Sequence, residues 1–324
     1  MLTFRTLLFI VITLYSLPSQ AEWVSHAFDV MGTRSKVEFE ATEPKSAQDL
    51  VDKVVAEMHR IDRLMSPYKS DSELTFINNN AAKHPVKIGQ EMFDLLEYSM
   101  HFSKLTDGAF DISFSSLGYL YDYRKNLKPS SVQIQTLKDA IDYRKIHLDK
   151  SRQTVFFADP RVKIDLGGIA KGHAVDRCIE ILQAAEIKNA YVNAGGDSRL
   201  IGRKNDRLWY IGVKHPRDPD KLLVNLPLEE VALSTSGDYE RYFEESGVRY
   251  HHIIDPTTGD SAREIRSATI LANDSTTADA LSTSIFILGI EKGMALINSM
   301  PEVSAIMVDK NGKLFVSQDM APAH

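Results

Sequence analysis

Cys178 is the only cysteine in the 324-residue chain. No internal disulfide can form, so whatever this sequence folds into must be held by a buried apolar core alone. Val175, Cys178, Ile179 and Leu182 follow helical spacing, which puts all four on one apolar face and makes the thiol a small core residue rather than a nucleophile. The opening residues sharpen that constraint. Met1 to Ala21 carries one positive charge at Arg5, an apolar run from Leu7 to Leu14, then Pro18 with small Ser19 and Ala21, which is the layout of a secretory signal peptide. Exported domains often rely on cross-links; this one is expected to do without. The apolar run is shorter than the roughly 18 to 20 residues of a membrane span, so cleavage after Ala21 and a soluble, periplasmic product are expected. No cysteine follows the run, so a lipoprotein anchor is not expected.

A core of that kind needs length and apolar residues, and the chain has both, with 43% hydrophobic residues and no low-complexity stretch. No linker stands out, so residues 22–324 read as one domain or two tightly joined lobes. A net charge of -6 and a pI near 5.9 provide no basic field for gathering phosphate backbones, which argues against nucleic-acid reading and for small-molecule chemistry.

Helical periodicity runs from Ser46 to Met65, with Leu50, Val54, Met58, Ile61 and Met65 as its stripe and Ser46 with Asp49 resembling a capping box. Further helices are expected over Gln90 to Lys104, Ala170 to Ala185, and from Thr276 until Gly289 interrupts. Strands are expected at Lys36–Glu40, Thr154–Phe157, Ala190–Asn193, Trp209–Val213, Val231–Ser234 and Tyr250–Ile254. Ser304–Val308 and Lys313–Val316 flank an Asn311-Gly312 hairpin turn. Clustered strands with helices inserted between them predict an α+β fold with mixed or antiparallel sheets.

Three small-residue junctions follow predicted strands. Ile164-Asp165-Leu166-Gly167-Gly168-Ile169-Ala170-Lys171-Gly172 leads through a glycine pair into a helix, where exposed N–H groups favour an anion. It fits neither GxxxxGK[ST] nor GxGxxG, and a tight turn with a surface lysine has the same sequence. Asn193-Ala194-Gly195-Gly196-Asp197 and Ser234-Thr235-Ser236-Gly237-Asp238 are the other two; together the three could line a cleft for a phosphate-containing ligand with a metal. Asp279 and Thr283, four residues apart, share a helix face and offer hard oxygens that suit Mg²⁺ rather than zinc, although an Asp near a helix start also serves the dipole. Of adjacent His251 and His252 only one can face a given site from a strand, as a candidate general base or as a structural group.

These residues, with Met31-Gly32-Thr33, Met65-Ser66-Pro67-Tyr68, Asp71-Ser72-Glu73-Leu74 and Asp107-Gly108-Ala109-Phe110-Asp111, occur in an order that resembles the ApbE family of FAD:protein FMN transferases. The likeness extends from about Met31 to Val316. It implies an α+β fold around a central FAD cleft and an enzyme that splits the FAD pyrophosphate, joins FMN to a Thr or Ser hydroxyl of an acceptor protein as a phosphoester, and releases AMP. It further implies FAD contacts at Met31, Tyr68, Ala109, Phe110, Asp111, Asp165, Lys171 and Ile253, with Tyr68 able to stack on a flat ring. Asp279, Thr283 and the Gly168 carbonyl fall on its Mg²⁺ positions, and His252 is the candidate base, His251 facing away. The implied partners are FMN-carrying subunits of sodium-translocating NADH:quinone reductase or Rnf-type complexes, or FMN-binding domains of extracytoplasmic reductases. Two rivals share the cleft: a periplasmic FAD pyrophosphatase and a carrier without turnover. Ile112 to Tyr121 departs from the family's usual loop, which points to an altered acceptor preference.

Overall fold

The computed structural model describes residues 22–321, so the expected signal peptide lies outside the described residues. Eight strands form the main sheet: β1 (Glu22–Val30), β2 (Thr33–Ala41), β3 (Ala190–Ala194), β4 (Asp197–Ile201), β5 (Val231–Gly237), β6 (Ile265–Ala272), β7 (Ser304–Asp309) and β8 (Leu314–Val316). Their order across the sheet is their order in the chain, and every neighbouring pair is antiparallel. The α+β expectation therefore holds, as a meander whose connections have been expanded.

The largest expansion, between β2 and β3, carries α1 (Pro44–Met65), α2 (Gln90–Leu105) and α3 (Ala170–Ala184), with a small sheet of Val86–Lys87, Thr154–Phe157 and Ile146–Asp149. Between β6 and β7 runs α4 (Ser275–Asn298). The β4–β5 connection forms a long hairpin, Trp209–His215 with Asp218–Leu228, and the β5–β6 connection a shorter one, Tyr242–Glu245 with Val248–His251.

The period of two along the central strands feeds two cores. Ala268, Ile270 and Ala272 of β6 and Ala305 and Met307 of β7 belong to the main core under the helices. Leu233, Leu271 and Ile306 face the other way and pack with Val213 and Leu226 of the long hairpin. Alternate residues thus leave water on opposite sides, each large apolar side chain contributing roughly 1.5 to 3 kcal/mol. The α1 stripe is buried throughout, and so is Cys178, whose thiol lies 3.6 Å from the Val54 carbonyl and is pushed up in pKa by burial. It is a core residue.

Several expectations need correction. Ser46 does not cap α1: the helix starts at Pro44, and the Ser46 hydroxyl donates to the Glu43 carbonyl instead. The strand expected over Tyr250–Ile254 is broken into Val248–His251 and Ile254–Asp255, because the Ile253 N–H bonds back to His251 Nδ1 at 3.3 Å and the chain then pairs with Asp260–Ser261. Gly289 does interrupt α4 as expected: its φ of 77° kinks the helix, which then resumes and runs to Asn298. That helix is long and apolar enough to cross a membrane, yet half of its most apolar window is buried against the protein; it is packed as a core helix on β5 and β6.

The contact that positions the site is the crossing of α3 and α4. A Cβ on Gly172 would lie 2.2 Å from the Ser275 carbonyl oxygen and 2.9 Å from Asp279 Cβ, so only glycine permits this approach. Asp176 of α3 accepts from Ser275 N (2.9 Å), Thr276 N (2.8 Å) and the Thr276 hydroxyl (2.6 Å), satisfying the free N–H groups at the start of α4. Arg199 of β4 donates to the same carboxylate at 2.8 Å. The substitution Gly172→Ala would gain about 1 kcal/mol of helix propensity and lose more to overpacking, typically about 1 to 3 kcal/mol, since the opposing atom is backbone. We expect a lower urea midpoint for this variant; an unchanged midpoint would mean the helices separate freely.

Candidate active site

Lys171, in the first turn of α3, directs its ammonium between two carboxylates from distant elements. It bonds directly to Asp197 Oδ2, at the start of β4, and lies 3.6 Å from Asp279 Oδ1 in α4. Both acids are nearly sealed from water, Asp197 at 1% and Asp279 at 2% exposure. The second Asp279 oxygen accepts from Gly172 N at 3.0 Å. Burial and the neighbouring Asp197 push the Asp279 carboxyl up to about 7, against the pull of Lys171 and the Gly172 N–H. Burial would lower the Lys171 pKa, but Asp197 and Asp279 outweigh it and hold the ammonium charged.

A line of hydroxyls continues from this cluster. Ser234 donates to Asp197 Oδ1 at 2.6 Å and lies 3.0 Å from Ser282. Ser236 is 2.9 Å from Ser282 and 3.3 Å from Thr283. Ser234 and Ser236 sit two apart in β5, so they share the face that looks onto α4. Gly168 closes the ring: a Cβ there would lie 3.2 Å from Thr283 Oγ1 and 3.3 Å from the Phe110 ring. The expected approach of the glycine loop to the helix of Asp279 is present.

Two of the three junctions differ from their expected form, and the second is found as expected. Ile164 and Asp165 are not in a strand; Asn78 meets both backbone groups of Ile164, and Asp165 N donates to Ile112 O at 2.9 Å. Gly195 and Gly196 form the β3–β4 turn, where Gly195 has φ 66°. Ser234 to Gly237 is no turn at all but the end of β5.

Met31, with φ 53°, and Gly32, with φ 71°, make the β1–β2 turn. Tyr68 projects into solvent at 84% exposure, within electrostatic reach of Asp165 and Arg241. Asp165 accepts from Gly167 N at 2.6 Å and is raised in pKa by burial. Ala109, Phe110 and Ile253 are buried, Phe110 against Gly168. Asp111 is committed to its own loop: it accepts from Ser113 N (2.8 Å), the Ser113 hydroxyl (2.6 Å) and Tyr143 N (2.8 Å), and burial lifts its pKa to about 6. The two histidines part as expected. His251 lies in the core, its Nε2 2.6 Å from the Ala262 carbonyl oxygen and its ring edge-on to Phe286. Burial, then His251, Arg241 and Lys171, depress the His252 pKa to about 3, so its ring is neutral at pH 7. Its Nδ1 is buried without a hydrogen-bond partner.

Asp197, Ser234, Ser236 and Ser282 were visible in the sequence only as parts of small-residue motifs, and Arg241 carried no signal. Among the described residues no three His, Cys, Asp or Glu side chains gather as a metal cluster. The donor set around Thr283 is of another kind: carboxylate, hydroxyls and a close backbone loop, with two buried carboxylates facing one ammonium. Hard oxygens with surplus negative charge fit a hard divalent cation.

Comparison with known proteins places the chain in a family. The ApbE family model matches residues 31–307. The chain belongs to the ApbE family. A FAD:protein FMN transferase of Klebsiella pneumoniae is 32% identical over 272 residues, covering 83% of this chain and 84% of that protein. Another from Vibrio cholerae is 31% identical over 317 residues, covering 93% of each. The crystal structure of an ApbE protein from Thermotoga maritima superposes with a TM-score of 0.85 at 35% identity, covering 92% of this chain and 98% of that one. The flavin transferase ApbE of Vibrio cholerae does so at 0.84 and 27% identity, covering 94% and 100%. The ApbE resemblance read from the ordered motifs is thereby borne out.

Asp279 makes the ApbE cluster sensitive to pH. The folded chain holds this proton up to about pH 7, whereas the carboxyl releases it near 3.8 when unfolded. Between those values the folded state binds more protons, so this contribution to stability is full below the lower value and is lost as pH rises through the upper one. In EDTA, Asp279→Asn should therefore gain urea midpoint relative to the parent on going from about pH 4 to about pH 8. A constant difference across that range would show that the folded chain does not hold the proton.

Proposed function

We propose that this chain is an exported FAD:protein FMN transferase that attaches FMN through a phosphoester to a Thr or Ser hydroxyl of an acceptor flavoprotein and releases AMP. The observation that carries the reading is the ring from Lys171 and Asp197 through Ser234, Ser236 and Ser282 to Thr283 and Gly168, in a chain of the ApbE family. Asp279, Thr283 and the Gly168 carbonyl would hold Mg²⁺. Bound there, a hard divalent cation neutralises charge that develops on the pyrophosphate oxygens.

The chain's own residues supply position and charge. The glycine loop before α3 lets backbone approach a phosphate closely, and the start of that helix favours negative charge. Lys171 ties the loop to β4 and α4 through Asp197 and Asp279. Tyr68, exposed above Asp165, offers a face for the flavin ring. In the reaction the acceptor oxygen bonds to the FMN-side phosphorus, the bond from that phosphorus to the AMP-side bridging oxygen breaks, and AMP carries that oxygen away. The acceptor proton passes to His252, whose unpartnered Nδ1 is an available acceptor. With a pKa near 3 the ring is a poor base in the ligand-free cleft. A dianionic pyrophosphate beside it offsets Lys171 and Arg241, two of the groups that depress it, and raises its basicity.

Export places the acceptors outside the cytoplasm, among FMN-carrying subunits of sodium-translocating NADH:quinone reductase or Rnf-type complexes. Ile112 to Gly118 forms a short 3-10 turn and a helical turn, and Tyr121 reaches the Gly259 carbonyl at 3.2 Å. The divergent segment thus packs on the turn after His252 and can shape acceptor choice.

Incubating the chain with FAD, Mg²⁺ and a periplasmic FMN-binding domain should add one FMN to that domain by intact mass, and Asp279→Ala should abolish the gain. AMP without an adduct would make the protein a pyrophosphatase, and neither product would leave a carrier. His252→Ala should bind FAD normally yet transfer about 10²- to 10⁴-fold more slowly, the range for losing a general base; a normal rate would end that assignment.

A further inference from the structure

Arg241 stands directly before the Tyr242–Glu245 strand, whose first residue pairs with His251. Extending that antiparallel register by one places Arg241 opposite His252, and the His252 N–H donates to the Arg241 carbonyl at 3.2 Å. Residues directly opposite in such a pair project to the same face, so the guanidinium and the imidazole share a side of the hairpin. The far end of Arg241 is fixed from another direction. Its Nη2 would lie 3.4 Å from a Cβ on Gly32, in the β1–β2 turn that also carries Met31. The guanidinium therefore sits beside the β1–β2 turn.

Arg241 differs from its neighbours in its ion pairing. Arg217 pairs with Asp238 at 2.5 Å, Arg249 with Glu244 at 2.8 Å and Arg263 with Asp260 at 2.7 Å. Arg241 is exposed and has no carboxylate partner among the described residues. Lys171, the other cation of the cleft, is already held by Asp197 and Asp279. Two carboxylates against one ammonium leave that wall negative, and a dianionic pyrophosphate needs a cation that is not spoken for. Arg241 lies within electrostatic reach of Asp165, Lys171, Tyr68 and His252, so its charge is felt by the residues of the site. A guanidinium fork also matches phosphate oxygens in pairs, which an ammonium does not.

We propose that Arg241 is a further substrate-binding residue of this chain, its guanidinium pairing with the pyrophosphate of FAD on the face that carries His252. This rests on FAD being the substrate, as proposed above. The test is direct binding of FAD and of riboflavin, which has the same ring and no phosphate, to the parent chain, Arg241→Ala and Arg241→Lys. The alanine variant should bind FAD about ten- to a hundredfold more weakly, the range for one hydrogen bond to a charged group, with riboflavin affinity unchanged. The lysine variant should recover part of the loss, since it keeps the charge without the fork. Unchanged FAD affinity in Arg241→Ala would overturn the proposal, as would equal loss for FAD and riboflavin, which would assign the residue to the ring or to the fold. A parent chain that binds FAD but forms neither AMP nor adduct would overturn the transferase reading and leave this one standing; a parent chain that binds no FAD would overturn both.

Discussion

The ammonium of Lys171 between Asp197 and Asp279 joins three elements that are far apart in the chain: the start of α3, the start of β4 and the second turn of α4. Withdrawing three charges from water costs several kcal/mol per ion before their attraction is counted, and such clusters stabilise little on balance. Their geometry has to be imposed by the surrounding structure. The close approach at Gly172 and the Asp176 bonds to the first turn of α4 impose it, and behind them the two cores fix the sheet against the helices. The apolar core does the stabilising, as a chain with one cysteine requires, and the buried charges are held ready for a ligand.

The antiparallel meander explains why the insertions are tolerated. Each expansion leaves and re-enters the sheet at neighbouring strands, so none breaks the ladder. The β2–β3 expansion brings Tyr68, Phe110, Asp165, Gly168 and Lys171; the β5–β6 connection brings Arg241 and His252; α4 brings Asp279 and Thr283. All three open on one region beside β4 and β5, where serines replace the apolar residues that line the rest of the same face.

Much of this was legible in the sequence, for identifiable reasons. The four long helices carry a 3.6-residue apolar period or end in glycine-rich junctions, and β3, β7 and the Asn311-Gly312 hairpin follow strand and turn propensity closely. The strand at Ser234 to Gly237 looks like a turn in the sequence because its residues favour turns by themselves; pairing with Ser267 to Ile270 on one side and Asp197 on the other overrides that preference. The break after His252 was invisible because it depends on the fold of the His251 ring back onto Ile253 N and on a new pairing with Asp260–Ser261. Asp197 and Arg241 were hidden because an acid after two glycines and an arginine in a polar stretch acquire meaning only when Lys171 meets the first and His252 pairs with the second.

The state of His252 bears on how a transferase of this kind would restrain water. In the ligand-free protein the half-buried imidazole has an unpartnered Nδ1 and is depressed in pKa, partly by the cations Arg241 and Lys171. A water molecule entering before the substrate meets a ring with almost no basicity. When a dianion offsets those cations, the same ring gains basicity at the moment the phosphorus to be attacked is in place. Proton removal and substrate occupancy are then linked through charge alone, with no moving part. On this reading the preference for an acceptor hydroxyl over water falls to whatever fills the space above His252, where the Ile112 to Tyr121 segment packs against the following turn.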